Sequence, residues 1–168
     1  MDNLTYKAAK VECSKRNLPV KKTFDVTKQI LKLCAESIDC FDNPRDISPR
    51  EVMNFKDLFL SYLHSVDYKN KKDQLFDALI PIIDTDMVNS LISTAFNSFD
   101  QFMYHGTKLR DLLVTVYFTE DAKNADLKTL LKKLQLCRTR FYEDKKASTL
   151  LFGCYLWDGA NKAGLVRT

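Results

Sequence analysis

Apolar residues recur three and four positions apart along most of this chain, the spacing that places them on one face of an α-helix. Glycine and proline, which sheet proteins need for their many turns, occur only four times each among 168 residues. Both features favour an all-α fold. The chain is long enough to bury one core, and no repeat or change in composition divides it. We therefore predict one compact domain, residues 1–168, with about six to eight helices and short connections.

The best-defined helix start lies at Ser48–Pro49. Ser48 is a favourable N-cap, Pro49 suits the first helical position, and Glu51 completes a capping box. Apolar residues follow at helical spacing, so a helix is predicted over residues 49–66.

Periodic segments elsewhere predict helices through residues 4–11, 23–40, 75–80, 85–102, 109–118, 126–142 and 147–154. Helix 85–102 is apolar around much of its circumference, so we expect it to be central, and the glycine of His105–Gly106 to cap its end. Thr107 is then a candidate N-cap for the next helix. Segment 109–118 is rich in β-branched and aromatic residues, which is also typical of a strand, but no partner strand is evident and helix is favoured. Residues 158–168 are predicted to form a flexible, loosely held tail.

The cysteines indicate neither a disulfide framework nor a zinc site, because their number is odd and no CxxC pair occurs. We expect those on apolar helical faces to act as small buried hydrophobes, and these are Cys34, Cys137 and Cys154. The other two are Cys13 and Cys40.

The motifs of common catalytic sites are missing from the sequence. The four glycines form neither GxGxxG nor a P-loop, and the two histidines, His64 and His105, stand beside no evident nucleophile. The acidic pair of Asp84-Thr85-Asp86 is better explained as a helix cap than as a metal site. We predict a protein that is not an enzyme and that needs no cofactor or metal.

Targeting features are also lacking. No stretch approaches 18 consecutive apolar residues, and the first residues do not resemble a signal peptide. The expected location is therefore cytoplasmic or nuclear, with no membrane partner. Frequent Lys, Asn, Asp and Phe with few glycines is a composition associated with AT-rich genomes, including many viral ones.

Charge is distributed unevenly along the chain. Residues 1–28 carry seven basic and three acidic residues, a net charge of +4, and residues 121–147 carry eight and four, again +4. Residues 29–120 carry nine basic and fourteen acidic residues, a net charge of −5. Two basic segments therefore flank an acidic middle.

Basic segments of this kind attract the phosphates of nucleic acids. The candidate nucleic-acid-binding residues are Lys128, Lys132, Lys133, Arg140, Lys145 and Lys146 in the second segment, and Lys15, Arg16, Lys21 and Lys22 in the first. Phe141 and Tyr142 are candidates for stacking on bases. The leading prediction is a non-enzymatic, RNA-associated binding module that acts as a homo-oligomer, provided that folding brings the two segments together.

An alternative prediction is an adaptor that docks a partner helix in an apolar groove or self-associates. Leu136 projects from the polar side of the helix predicted over 126–142, and Tyr155 and Trp157 lie near the predicted tail. These three residues are the candidate partner-binding surface. A third possibility is an enzyme whose site is assembled from distant residues.

Overall fold

The computed structural model describes residues 4–36, 86–118 and 126–162. These ranges contain six α-helices and no strand, which confirms the all-α prediction. The helices are α1 (Leu4–Lys15), α2 (Val20–Glu36), α3 (Asp86–Ser98), α4 (Gly106–Tyr117), α5 (Leu127–Leu134) and α6 (Arg138–Lys162), and a 3₁₀ turn, Phe99–Gln101, follows α3. None of the described helices is both long enough and apolar enough to cross a membrane. The helices predicted over 49–66 and 75–80 lie outside the described residues.

Helix α6 is the centre of the core, and α1, α2, α3 and α4 all pack against it. Helix α1 runs parallel to α6, since Cys13 meets Cys154 and Arg16 meets Asp158. Helix α3 contributes Phe96, whose ring centroid is 5.0 Å from that of Phe152. All residues from 147 to 157 are buried.

The expectation that helix 85–102 is central is therefore wrong. Helix α3 ends at Ser98 and contacts α6 from one side. The sequence of α6 conceals its burial because it includes Ser148 and Thr149, whose hydroxyls donate to the Lys145 carbonyl at 3.1 and 2.7 Å. A hydroxyl that is satisfied inside its own helix can be buried at little cost.

The single helix predicted over 126–142 is in fact two helices. Asp126 caps α5, its Oδ1 accepting from the Thr129 amide at 2.8 Å. The helix ends at Gln135, which adopts the left-handed conformation with φ of 56°. Apolar residues keep the helical spacing across this break, so the periodicity did not reveal it.

His105–Gly106 starts a helix where the sequence predicted the end of one. His105 is the N-cap of α4 in the left-handed conformation, and Gly106 is its first residue. A Cβ on Gly106 would overlap the Phe99 carbonyl oxygen, so glycine permits a close backbone approach at this corner. The N-cap predicted at Thr107 is therefore wrong by two residues.

Segment 109–118 and the end of the chain can also be compared with their predictions. Segment 109–118 is helical, as favoured, because it lies within α4 up to Tyr117. The tail predicted from residue 158 begins too early, since α6 continues to Lys162 and Asp158 is held by Arg16. Residues 163–168 lie outside the described part of the chain.

Candidate nucleic-acid interface

Three lysines lie near one another where the second half of α2 passes the start of α6: Lys28, the last residue of the first basic segment, Lys32, which belongs to the acidic middle, and Lys145 of the second basic segment. The helices are antiparallel, with Thr23 and Thr27 of α2 against Gly153. This places Lys28 and Lys32 near Lys145. Burial lowers the pKa of Lys145, and the positive charges of Lys28 and Lys32 lower it further. Among the described residues, no carboxylate forms an ion pair with Lys145, so positive charge is concentrated here.

The Lys145 ammonium group lies against aromatic rings. Its Nζ is 5.7 Å from the ring centroid of Tyr117 and 6.0 Å from that of Phe141. A cation in this position is attracted by the electron-rich ring face. The two rings thus position the partly desolvated Lys145 ammonium group, and its positive charge is not compensated by them.

The aromatic contacts continue to the surface. The ring centroids of Phe141 and Tyr142 are 5.4 Å apart in an edge-to-face arrangement, and the Arg138 guanidinium lies 6.0 Å from the Tyr142 centroid. Tyr142 is 43 % exposed although it is a large aromatic residue. We call the series Arg138, Tyr142, Phe141, Lys145 and Tyr117 the cation–aromatic ladder.

Arg16 and Lys15 are compensated by carboxylates and lie apart from the ladder. Arg16 binds Asp158 through two hydrogen bonds, Nε–Oδ1 of 2.8 Å and Nη2–Oδ2 of 2.7 Å, and the Asp158 hydrogen bond is the main cause of its raised pKa. Glu12 accepts from Arg16 at 2.9 Å and from Lys15 at 3.1 Å. Arg16 therefore stabilises the packing of α1 on α6, whereas the Lys15–Glu12 ion pair lies within α1.

Arg140 is also committed to a carboxylate. Its Nε donates to Asp144 Oδ2 at 3.0 Å, while Asp144 Oδ1 is buried and accepts no hydrogen bond from the described residues. Burial raises the pKa of Asp144, and Arg140 opposes that effect. The charge of Arg140 is thus largely offset.

The other predicted basic residues are spread over three helices. Lys21 and Lys22 lie in the first turn of α2, Lys146 is exposed on α6, and α5 carries the remainder, Lys128, Lys132 and Lys133. Helix α5 packs against α4. No described carboxylate forms an ion pair with Lys128 or Lys132.

The three residues predicted as a partner surface, Leu136, Tyr155 and Trp157, are not exposed together, which corrects the expected exposure of Tyr155 and Trp157. Tyr155 and Trp157 are buried because α6 continues through them and neighbouring helices cover it, and Leu136 is half-buried in the link between α5 and α6. The Tyr155 ring meets Phe99 with centroids 5.3 Å apart, and burial raises the pKa of Tyr155 to about 12.

An apolar groove that the sequence did not reveal lies between α1 and the turn after α3. Its volume is about 550 Å³, and Leu4, Val11, Met103 and Tyr104 line it with exposed fractions of 67, 52, 89 and 43 %. The sequence predicted a helix through Leu4 and Val11 from their apolar spacing. The buried positions of α1 are instead Thr5, Ala9 and Cys13, which turns the larger apolar side chains towards solvent.

The described residues contain no group of side chains suited to a metal ion. No three His, Cys, Asp or Glu side chains there lie close enough to hold a metal. His105 is exposed at the helix corner, while His64 and Asp84 lie outside the described ranges.

Two cysteines that are 141 residues apart meet in the core, which their sequence spacing could not indicate. The sulfur atoms of Cys13 and Cys154 are 3.4 Å apart, and their hydrogen bond, together with burial, raises the pKa of Cys154. Cys137, expected on a buried face, is exposed because it lies in the link before α6.

Comparison of the chain with protein-family models, curated proteins and solved structures finds no match.

Proposed function

We propose that the protein binds single-stranded nucleic acid, with RNA as the expected ligand, through the cation–aromatic ladder. The observation that carries this proposal is the contact of Lys145 with Phe141, whose ring meets the exposed ring of Tyr142, and Lys28 and Lys32 near Lys145 add positive charge. Proteins that bind single strands combine a positive surface with aromatic rings on which bases stack. The ladder supplies both elements within one surface.

The ladder residues and the neighbouring Lys28 and Lys32 have distinct roles in this proposal. Lysines 28, 32 and 145 replace counterions on the phosphates, which makes the affinity fall with salt. Tyr142 offers one ring face to an unpaired base, and Arg138 beside it adds a cation to the stack. The rings of Phe141 and Tyr117 hold Lys145 in position. Stacking requires an unpaired base, so single strands should bind more tightly than duplexes.

Fluorescence anisotropy with a labelled single-stranded RNA of about twelve nucleotides tests the proposal at several salt concentrations. Replacing Lys28 and Lys32 together by Ala should weaken binding and reduce the log–log salt slope by about 1.4, since each phosphate contact contributes about 0.7. Tyr142→Leu should weaken binding by about 1–3 kcal/mol while leaving that slope unchanged.

A matched control is available on α5. Lys128→Ala combined with Lys132→Ala removes the same charge from exposed positions of another helix. If this pair weakens binding as much as the α2 pair, net charge is responsible and the ladder is not the site. Absence of salt-sensitive binding to RNA at low ionic strength would overturn the proposal altogether.

A further inference from the structure

Cys13 of α1 and Cys154 of α6 meet inside the core, and the proposed nucleic-acid interface uses neither of them. Both side chains are fully buried, and the two sulfur atoms are 3.4 Å apart. Among the residues that the structure describes, no third His, Cys, Asp or Glu side chain completes a metal site with them. Two thiols at this distance can instead be joined by oxidation to a disulfide bond.

The packing of α1 on α6 keeps the two sulfur atoms close together. The residues of α1 that face the core are small, namely Thr5, Ala9 and Cys13, so the two helices approach each other closely. One turn further along this parallel pair, Arg16 of α1 binds Asp158 of α6 and fixes their register. A disulfide bond is about 2.05 Å long, so the sulfur atoms need to approach each other by roughly 1.4 Å. Small changes in the torsion angles of both side chains can share this movement.

The two thiols differ in their readiness to ionise. The hydrogen bond with Cys154 and the positive charge of Arg16 lower the pKa of Cys13, although burial opposes them. The same hydrogen bond raises the pKa of Cys154, and burial raises it further. Because the thiolate and not the thiol is the nucleophile, Cys13 is the residue that attacks an oxidant first.

We propose that Cys13 and Cys154 form a reversible oxidation site, at which a peroxide converts the two thiols into a disulfide bond between α1 and α6. The Cys13 thiolate attacks one peroxide oxygen, so an S–O bond forms, the O–O bond breaks, and the departing hydroxide takes up the proton that Cys13 lost. The Cys154 sulfur then attacks the sulfenic sulfur of Cys13, the S–S bond forms, the S–O bond breaks, and the Cys154 proton leaves with that oxygen as water. Two thiols and one hydrogen peroxide give one disulfide and two water molecules, and two electrons pass from sulfur to oxygen.

Oxidation at this site fixes α1 on α6. The two cysteines are 141 residues apart, so the bond closes a long loop and restricts the unfolded chain strongly. Hydrogen peroxide is little larger than water, so local openings of α1 that are too small for a bulkier thiol reagent can admit it. A dithiol reductant reverses the reaction by thiol–disulfide exchange.

Peroxide treatment of the folded full-length chain tests this proposal. Free thiols are alkylated in denaturant after the treatment, and peptides are mapped without reduction. A peptide pair that links Cys13 to Cys154 should appear within the time in which the exposed Cys137 is oxidised. The Tm of the oxidised chain should rise by about 5–15 °C and return to its starting value after treatment with dithiothreitol.

Cys137→Ser is the matched control, because it removes an exposed cysteine and should change neither the link nor the rise in Tm. Cys13→Ser and Cys154→Ser should each abolish both. Dimedone, which traps sulfenic acids, should label Cys13 in the Cys154→Ser chain more strongly than it labels Cys154 in the Cys13→Ser chain.

Three results would overturn the proposal: Cys13 and Cys154 remain thiols while Cys137 is fully oxidised, either of them links mainly to another cysteine, or the link lowers Tm. Peptide mapping uses the unmodified sequence, so it decides the proposal even where a serine variant does not fold. None of these readouts involves RNA, so the outcome for the cysteine pair is independent of the outcome for the ladder.

Discussion

Gly153→Ala tests whether the close packing of α2 on α6, which brings Lys28 and Lys32 to Lys145, depends on a missing side chain. Gly153 is buried in the middle of α6. A Cβ at this position would overlap Thr27 Oγ1 and would lie 3.0 Å from Thr23 Cγ2. Neither threonine can simply rotate away, because both belong to the buried face of α2.

The energetic balance follows from these contacts. Alanine is favoured over glycine within a helix by about 1 kcal/mol. Against this, overpacking costs about 1–3 kcal/mol. Moving Thr27 Oγ1 breaks its 2.6 Å hydrogen bond to the Thr23 carbonyl, and a buried hydroxyl without a partner costs about 1–3 kcal/mol. We expect a net loss of about 2 kcal/mol in the free energy of unfolding, or about 6 °C in Tm for a domain of this size.

Urea and thermal unfolding followed by circular dichroism measure this loss. Gly159→Ala is a matched control in the same helix, because its Cβ would meet only Leu91 Cδ2, at 3.3 Å, which is the end of a side chain. It should unfold within about 1 kcal/mol of the wild type. Adding Thr27→Ala to Gly153→Ala should recover about 1–2 kcal/mol relative to the sum of the single changes. The packing argument fails if Gly153→Ala is as stable as the wild type, or if the two changes are additive.

Three other predictions concern the pH dependence of stability, the reactivity of the cysteines and the turn at Gln135. Burial raises the pKa of Asp144, so the native state binds this proton more tightly than the unfolded chain does, and stability falls as pH rises above about 4. Asp144→Asn should remove this decrease from the unfolding free energies measured between about pH 4 and 7. An unchanged pH profile would contradict the prediction. Cys137 should react quickly with a thiol reagent while Cys13 and Cys154 stay protected until unfolding, and peptide mapping that finds equal labelling would refute their burial. Gln135→Gly should stabilise the chain by about 0.5–1 kcal/mol in urea unfolding, because glycine adopts a φ of 56° without strain, and a loss of stability would show that the Gln135 side chain matters more than its backbone.

The all-α class was predictable because it depends on the spacing of apolar residues along the chain. The helix boundaries were harder to predict, since tertiary contacts also determine them. The turn at Gln135 was missed because Leu134 and Cys137 continue the apolar repeat on either side of it. The sequence placed His105–Gly106 at the end of a helix, whereas the next helix begins there. A glycine after a helical segment suits a C-cap, but it equally suits a corner where two stretches of backbone come close together. The fit of Gly106 against the Phe99 carbonyl is a tertiary contact that no local pattern contains.

The residues of the candidate site that are close in sequence were predicted, and those that join it through tertiary packing were not. Lys145 and the aromatic Tyr142 were predicted together because they lie three residues apart in the sequence. Lys28 and Lys32 join them only through the antiparallel packing of α2 on α6. Tyr155 was expected to be exposed because the helix was predicted to end near it, and its burial follows from the continuation of α6 to Lys162.

The two halves of α6 have different roles: residues 147–157 anchor the helix in the core, and residues 138–146 carry the proposed binding surface. Residues 147–157 are buried on all sides by four helices, so they fix the helix rigidly in the core. The first turns, residues 138–146, emerge from that core and carry exposed Tyr142 and the lysines beside it. A rigid support lowers the entropy that a binding surface loses when its ligand docks, which favours affinity per contact. The groove is formed by α1 and the turn after α3 and shares no residue with the ladder. Met103→Glu in the groove should therefore leave the RNA affinity of the ladder unchanged, and a change in that affinity would show that the core transmits strain between the two surfaces.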